Sequence, residues 1–169
     1  MASNDGVLSG TKLEQLMDCL EADLEENGPD AEIDLLARLR ACPLRADSME
    51  SIDRLHTLWM IAGDPAAARA VVNDDGAALL QGAQPDAQAD IRMLLTLQLL
   101  HIAEYMEEED AVLNELSQMR AIVTENPDLD VSMYGLLPIF ERLEDGSPDI
   151  ARETDALLQA LASASMYAD

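Results

Sequence analysis

The sequence predicts an all-α chain, an α-solenoid of about four antiparallel helical hairpins with eight to nine helices. Three observations support this. Apolar residues recur at intervals of three and four along most of the chain, and no β-branched run alternates strictly enough for a strand. Only 3% of residues are aromatic although 49% are apolar. The core must therefore be built from Leu, Ile, Val, Met and Ala, which suits packed helices. Finally, hairpin turns fall at Gly28-Pro29, Gly63-Asp64-Pro65, an acidic junction near Glu107, and Gly146-Ser147-Pro148. Their spacings are 35, about 44 and about 39 residues. One hairpin cannot bury its apolar face alone, so units of that period stack.

Residues 1–10 are polar and read as a frayed arm; residues 11–169 read as one helical-repeat domain. Thr11-Lys12-Leu13-Glu14 forms a predicted capping box for a helix whose apolar face is Leu13, Leu16, Met17, Leu20 and Leu24. Asp18, Glu21, Glu25 and Glu26 lie opposite. Asn27-Gly28-Pro29 ends that helix and starts a second with Ile33, Leu36, Ala37 and Leu39 inside, stopped by Cys42-Pro43. Asp47-Ser48-Met49-Glu50 opens the central hairpin as another capping box, and Ile52, Leu55, Trp59 and Ala62 follow at helical spacing. Gly63 supplies the left-handed residue that ends the helix. Asp64 then caps the return helix and Pro65 takes its first turn. Ala67, Ala68, Val71 and Val72 make a flat apolar stripe. Asn73-Asp74-Asp75-Gly76 reads as a turn, and Ala77 to Gln81 as a short helix.

Asp86 begins the longest apolar pattern: Ile91, Leu94, Leu95, Leu99, Ile102, Ala103 and Met106. Leu97 and Leu100 widen it on several sides, which marks a central helix. Glu107 to Asp110 joins it to a partner carrying Val112, Leu113, Leu116, Met119, Ile122 and Val123, which Asn126-Pro127 terminates. Residues 130–144 hold Val131, Tyr134, Leu137, Phe140 and Leu143, with Gly135 and Pro138 predicting a kinked or divided helix. A last helix carries Ile150, Leu157, Leu158 and Leu161.

The formal net charge of −24 argues against nucleic acid and anionic membrane surfaces as direct partners, since phosphate binding needs clustered cations. It favours solubility and fast encounter with a basic partner. Cys19 and Cys42, the only cysteines, fall inside apolar patterns and are expected to be reduced core residues of a cytoplasmic protein. No signal peptide and no bilayer-spanning stretch is visible.

The central hairpin resembles a tetratricopeptide repeat. Ile52, Leu55, His56 and Trp59 stand where that family places Trp, Leu, Gly and Tyr on its first helix. Gly63-Asp64 matches its turn and Ala68 its small residue; Val72 stands for an aromatic, and Asp75 departs from the usual Ala. Gly146-Ser147-Pro148 with Ala151 repeats the same offset. The resemblance implies a protein-binding scaffold whose first helices line a groove, here bearing Asp53, His56, Thr57, Gln98, His101, Glu104, Tyr105 and Tyr134.

Two pairs, Asp53 with His56 and His101 with Glu104, put a carboxylate and an imidazole on one helix face. A di-iron bundle site needs further bridging glutamates and the opposite order, so no metal and no cofactor is expected. No serine elbow or phosphate-binding glycine loop occurs, so catalysis is not expected either. The acidic clusters Asp74-Asp75, Glu107-Glu108-Glu109, and Asp128 with Asp130 join His56, His101, Glu104, Tyr105 and Tyr134 as candidate partner-binding residues. Acids at helix starts complement the helix dipole and explain Asp64, Asp86 and Asp110 without function. The expected function is non-catalytic binding of a basic protein partner. Its concrete form is an immunity protein that occludes a bacterial toxin; the alternative is a secretion chaperone or assembly adaptor.

Overall fold

Every regular element in the computed structural model, which describes residues 6–130 and 134–166, is helical. An isolated parallel bridge joins Leu8 to Leu44. Contacts divide the chain into two units, Met1–Gly82 and Ala83–Asp169.

In the first unit, α1 (Gly10–Asn27) and α2 (Pro29–Arg40) fold back across Gly28, and both pack on α3 (Met49–Ile61). The α1 face is the predicted one: Leu13, Met17 and Leu20 are buried, with Leu16 and Leu24 at its margins. The α1 start is two residues early, however. Ser9 occupies the cap without a side-chain bond, so the Thr11 box does not form. On α2 the buried stripe is Ala31, Leu35 and Leu39 at strict four-residue spacing, and Ala37 faces solvent.

The α3 capping box is shifted by one residue from its predicted position. The Ser48 hydroxyl accepts from the Ser51 amide at 3.1 Å, and the Ser51 hydroxyl accepts from the Ser48 amide at 3.0 Å. A serine at the third helical position thus does the work assigned to Glu50. Ile52, Leu55, Leu58 and Trp59 are buried behind it. Gly63 then takes φ 80°, and Asp64 donates its amide back to Trp59 at 3.0 Å, which closes the left-handed turn. The Asp64 side chain accepts from the Ala67 amide at 3.0 Å and caps α4 (Pro65–Ala70).

The predicted turn at residues 73–76 is instead helical. A π turn, Val71–Asp75, connects α4 to α5 (Gly76–Gly82) without a break, because Gly76 adopts right-handed helical angles of φ −61° and ψ −42°. One extra residue is absorbed in a wider turn rather than ending the helix.

The second unit holds α6 (Gln88–Tyr105), α7 (Glu109–Glu125), α8 (Leu137–Glu144) and α9 (Pro148–Met166). The helix α6 is buried on several sides, as its broad apolar surface predicts. Within this unit, though, α7 is central and packs on both α6 and α9. Val112, Leu116, Met119, Ile122 and Val123 form its seam, and each fully buried aliphatic side chain contributes about 1.5–3 kcal/mol.

The predicted helix over 130–144 is shorter. It begins at Leu137, after Gly135 at φ 57°, with Pro138 in the first turn, where a missing amide is harmless. Val131 falls outside the described residues. Leu136, Ile139, Phe140 and Leu143 form the buried stripe, which turns Leu137 outward to 72% exposure. Cys19 is exposed and Cys42 half-buried, so neither is the core residue that its apolar neighbours predict. None of the described helices is long and apolar enough to cross a membrane.

The α6–α7 turn repeats the Gly63 geometry without glycine. Glu107 has φ 55°, and the Glu108 amide returns to Ala103 at 3.0 Å. Left-handed backbone costs an ordinary residue about 1–2 kcal/mol. Glu107→Gly is therefore expected to stabilise the chain by about 0.5–1 kcal/mol, and Gly63→Ala to destabilise it by about 1 kcal/mol, measured by denaturant unfolding.

Asp64 carries a pH signature. The Ala67 amide, and then Arg40, hold its carboxyl below the usual carboxylate range. Its contribution is complete above the unfolded-state value and is lost as pH falls through the lower folded value. Asp64→Ala is expected to cost about 1 kcal/mol at neutral pH, and the difference from the native chain should vanish in acid.

Candidate functional site

The second unit contains a cleft of about 350 Å³ lined by Asp86, Ala89, Asp90, Asn126, Asp128, Leu129 and Asp130. Two sequence features build it. Asp86 lies in the turn that leads into α6 and Asp90 in the first turn of that helix, and both line the cleft. Across the cleft, Asn126 ends α7 by bonding the Ile122 carbonyl through both its amide, at 3.0 Å, and its side chain, at 2.8 Å. Pro127 prevents the helix from continuing, and the Leu129 amide returns to Asn126 at 3.1 Å. That tight turn carries Asp128 and Asp130 to the rim.

The lining thus contains four carboxylates and no basic side chain. Tyr134 borders it and donates its hydroxyl to Asp90. Burial, and then the Asp90 carboxylate, push the Tyr134 phenol well above its ordinary value. The nearby Arg92 is turned to Glu125 at 3.4 Å. Among the described residues, no group of three or more His, Cys, Asp or Glu side chains is arranged to hold a metal ion. What the cleft offers is negative potential and hydrogen-bond acceptors in a half-open cavity. Its chemical complement is a lysine or arginine side chain presented from outside.

Of the other sequence candidates, Asp128, Asp130 and Tyr134 belong to this site. His101 and Tyr105 are exposed on α6, and Glu104 beside them pairs with Arg142 at 3.2 Å. Glu107, Glu108 and Glu109 form the α6–α7 turn, where Glu109 accepts from the Ser147 hydroxyl. In the first unit, His56 is buried and Asp74 exposed. Asp75 faces inward, accepting the Ala46 amide at 2.8 Å. Sequence reasoning set Asp86 aside as a dipole complement and passed over Asp90 and Asn126. Their signal was the four-residue spacing of two acids opposite a helix-ending Asn-Pro followed by two more.

Asp90→Asn removes the negative charge facing the phenol but leaves an acceptor for it. The Tyr134 ionisation midpoint, followed by its ring resonances in an alkaline titration, is expected to fall toward the ordinary tyrosine value.

No protein-family model matches this chain, and comparison with curated proteins and with solved structures returns no match.

Proposed function

We propose that this chain is a non-catalytic protein-binding module that receives a basic partner through its acidic surface, in the concrete form of an immunity protein for a bacterial toxin. The observation that carries this reading is the distribution of charge. The first unit holds 16 acids against 6 bases, and the second 18 against 4. Among the described residues, at least seven arginines are already held in intrachain ion pairs. None of these arginines pairs with Asp86, Asp90 or Asp128 of the cleft, so the negative charge there is open to a cation from outside. An acidic inhibitor gains fast, oriented encounter with a basic toxin domain, and charge pairing supplies its specificity. The scaffold for this role is a stack of tetratricopeptide-like hairpins, a reading supported by the packing of α3 against both helices of the preceding pair.

A second reading, a secretion chaperone or adaptor, is favoured by exposed apolar side chains, chiefly Leu137 and Tyr105, which are 72% and 62% exposed. Apolar contacts would then dominate affinity. Co-expression with the product of a neighbouring gene provides the first test: relief of its toxicity supports the immunity reading. For the captured complex, affinity is expected to fall at least about tenfold from low to high salt, mostly through slower association. The Asp86→Asn, Asp128→Asn double variant is expected to weaken binding while leaving the helical signal unchanged. Salt-insensitive binding overturns the acidic-inhibitor reading in favour of the chaperone.

A further inference from the structure

The α2–α3 loop, residues 41–48, carries an edge of extended backbone at residues 43–45, where Leu8 pairs with it in parallel. The Leu8 amide donates to the Pro43 carbonyl, and the Arg45 amide donates to the Leu8 carbonyl, each at 2.9 Å. The loop is fixed by contacts that do not involve Leu8. The Ala46 amide, on a residue only 2% exposed, donates to the Asp75 carboxylate at 2.8 Å. The Asp47 and Ser48 amides donate to the Ser51 hydroxyl at 3.2 and 3.0 Å. The Pro43 ring fixes its own φ. The loop itself therefore holds the Pro43 carbonyl and the Arg45 amide in place.

The Leu8 segment is fastened far more lightly. Its two backbone hydrogen bonds have a small net worth, because water replaces them on opening. Leu8 is half-buried and Val7 is 42% exposed, whereas Leu13 and Met17 of α1 are fully buried. Gly6 and Gly10 bracket the segment at φ 135° and 55°, angles at which glycine meets little steric restraint. A short extended piece between two such glycines swings off its edge while α1 stays packed. Segments with so little burial open locally, at a free energy well below that of global unfolding.

We propose that residues 7–9 are a displaceable strap, seated on a preformed edge where an extended segment of a protein partner adds as a parallel strand. The strap itself shows what the edge accepts: the main-chain donor and acceptor of one residue that bears an aliphatic side chain. The partner segment is therefore extended, aliphatic at that position, and recognised chiefly through its backbone. An open edge of this kind invites pairing with other chains, and the strap keeps it filled until a competitor arrives. This surface lies in the first unit and does not depend on the acidic cleft of the second.

Hydrogen exchange of two adjacent amides in the full native chain tests the displacement. Arg45 depends on the strap and Ala46 on Asp75, so Arg45 is expected to open at least about tenfold more often, without sensitivity to low denaturant. Equal opening of the two amides overturns the proposal. Leu8→Pro deletes the donor to Pro43 and lies outside every described helix. In this variant Arg45 is expected to lose its protection while Ala46 and the helical signal are unchanged. An acetylated and amidated peptide with the sequence of residues 6–10, at millimolar concentration, is expected to restore it. The same peptide is expected to bind the native chain at least about tenfold more weakly, because the strap competes. Arg45 protection that survives Leu8→Pro, or that the peptide leaves unrestored, overturns the proposal. So does restoration by a peptide whose leucine is N-methylated and lacks the donor.

Discussion

The structure depends on how few cations it has and where it puts them. Against 34 acids stand ten lysines and arginines, and six of the arginines act as staples between elements. Arg54 on α3 grips Glu21 of α1 with two bonds, at 3.0 and 2.9 Å, and reaches Asp18 at 2.6 Å. These two acids push its guanidinium even further above its ordinary value. Arg38 ties α2 to Asp23 of α1, and Arg40 ties α2 to the capping Asp64. In the second unit Arg92 joins α6 to α7, Arg120 joins α7 to α9, and Arg142 joins α8 to α6. Exposed pairs of this kind add about 0–1 kcal/mol each. They also add direction to the contact between helices. The interdigitated aliphatic faces already favour one register, and the forked contact of Arg54 with Glu21 adds a directional constraint to it.

Because the arginines act as internal staples, the excess acid is left to solvent or to a partner. The excess is concentrated further by the turns. Asn126-Pro127 brings Asp128 and Asp130 opposite Asp86 and Asp90 around one cleft, and the left-handed Glu107 sets three consecutive glutamates at a hairpin end. Sequence, turn chemistry and surface potential thus form one causal line, and the proposed binding of a basic partner is its functional end. The apolar core stays separate from that line: it is built from Leu, Met, Ile and Val on the inner faces and needs no charge.

Much of the fold was legible because helical periodicity and glycine turns are local signals. The Leu13-Met17-Leu20 face, the Gly63-Asp64-Pro65 corner and the α7 seam all follow from spacing alone. The misreadings share a physical origin: tertiary context overrode a local rule. Asn73-Asp74-Asp75-Gly76 has turn composition, yet Gly76 tolerates helical angles and Asp75 finds its partner in the distant Ala46 amide. Leu137 fits an apolar pattern, but the start of α8 after Gly135 rotates it outward. Gly63 and Gly146 look alike in sequence and serve different needs. Gly63 supplies a positive φ, whereas a side chain on Gly146 would meet the Leu143 carbonyl at 3.0 Å and Ile150 at 3.2 Å. The acidic cleft was half legible, since Asp128, Asp130 and Tyr134 stood out. Asp86 was masked by an adequate dipole explanation and Asp90 was passed over, and only the fold shows that all four acids face one cavity.

The central claim is that the negative charge of this chain greatly exceeds what its own cations neutralise. Thermal unfolding of the isolated chain across salt concentrations from about 10 mM to about 1 M tests it most directly. If uncompensated repulsion dominates, screening relieves it and Tm rises steadily with salt. A Tm that falls with salt would show that the internal pairs outweigh the surplus, and would contradict the claim.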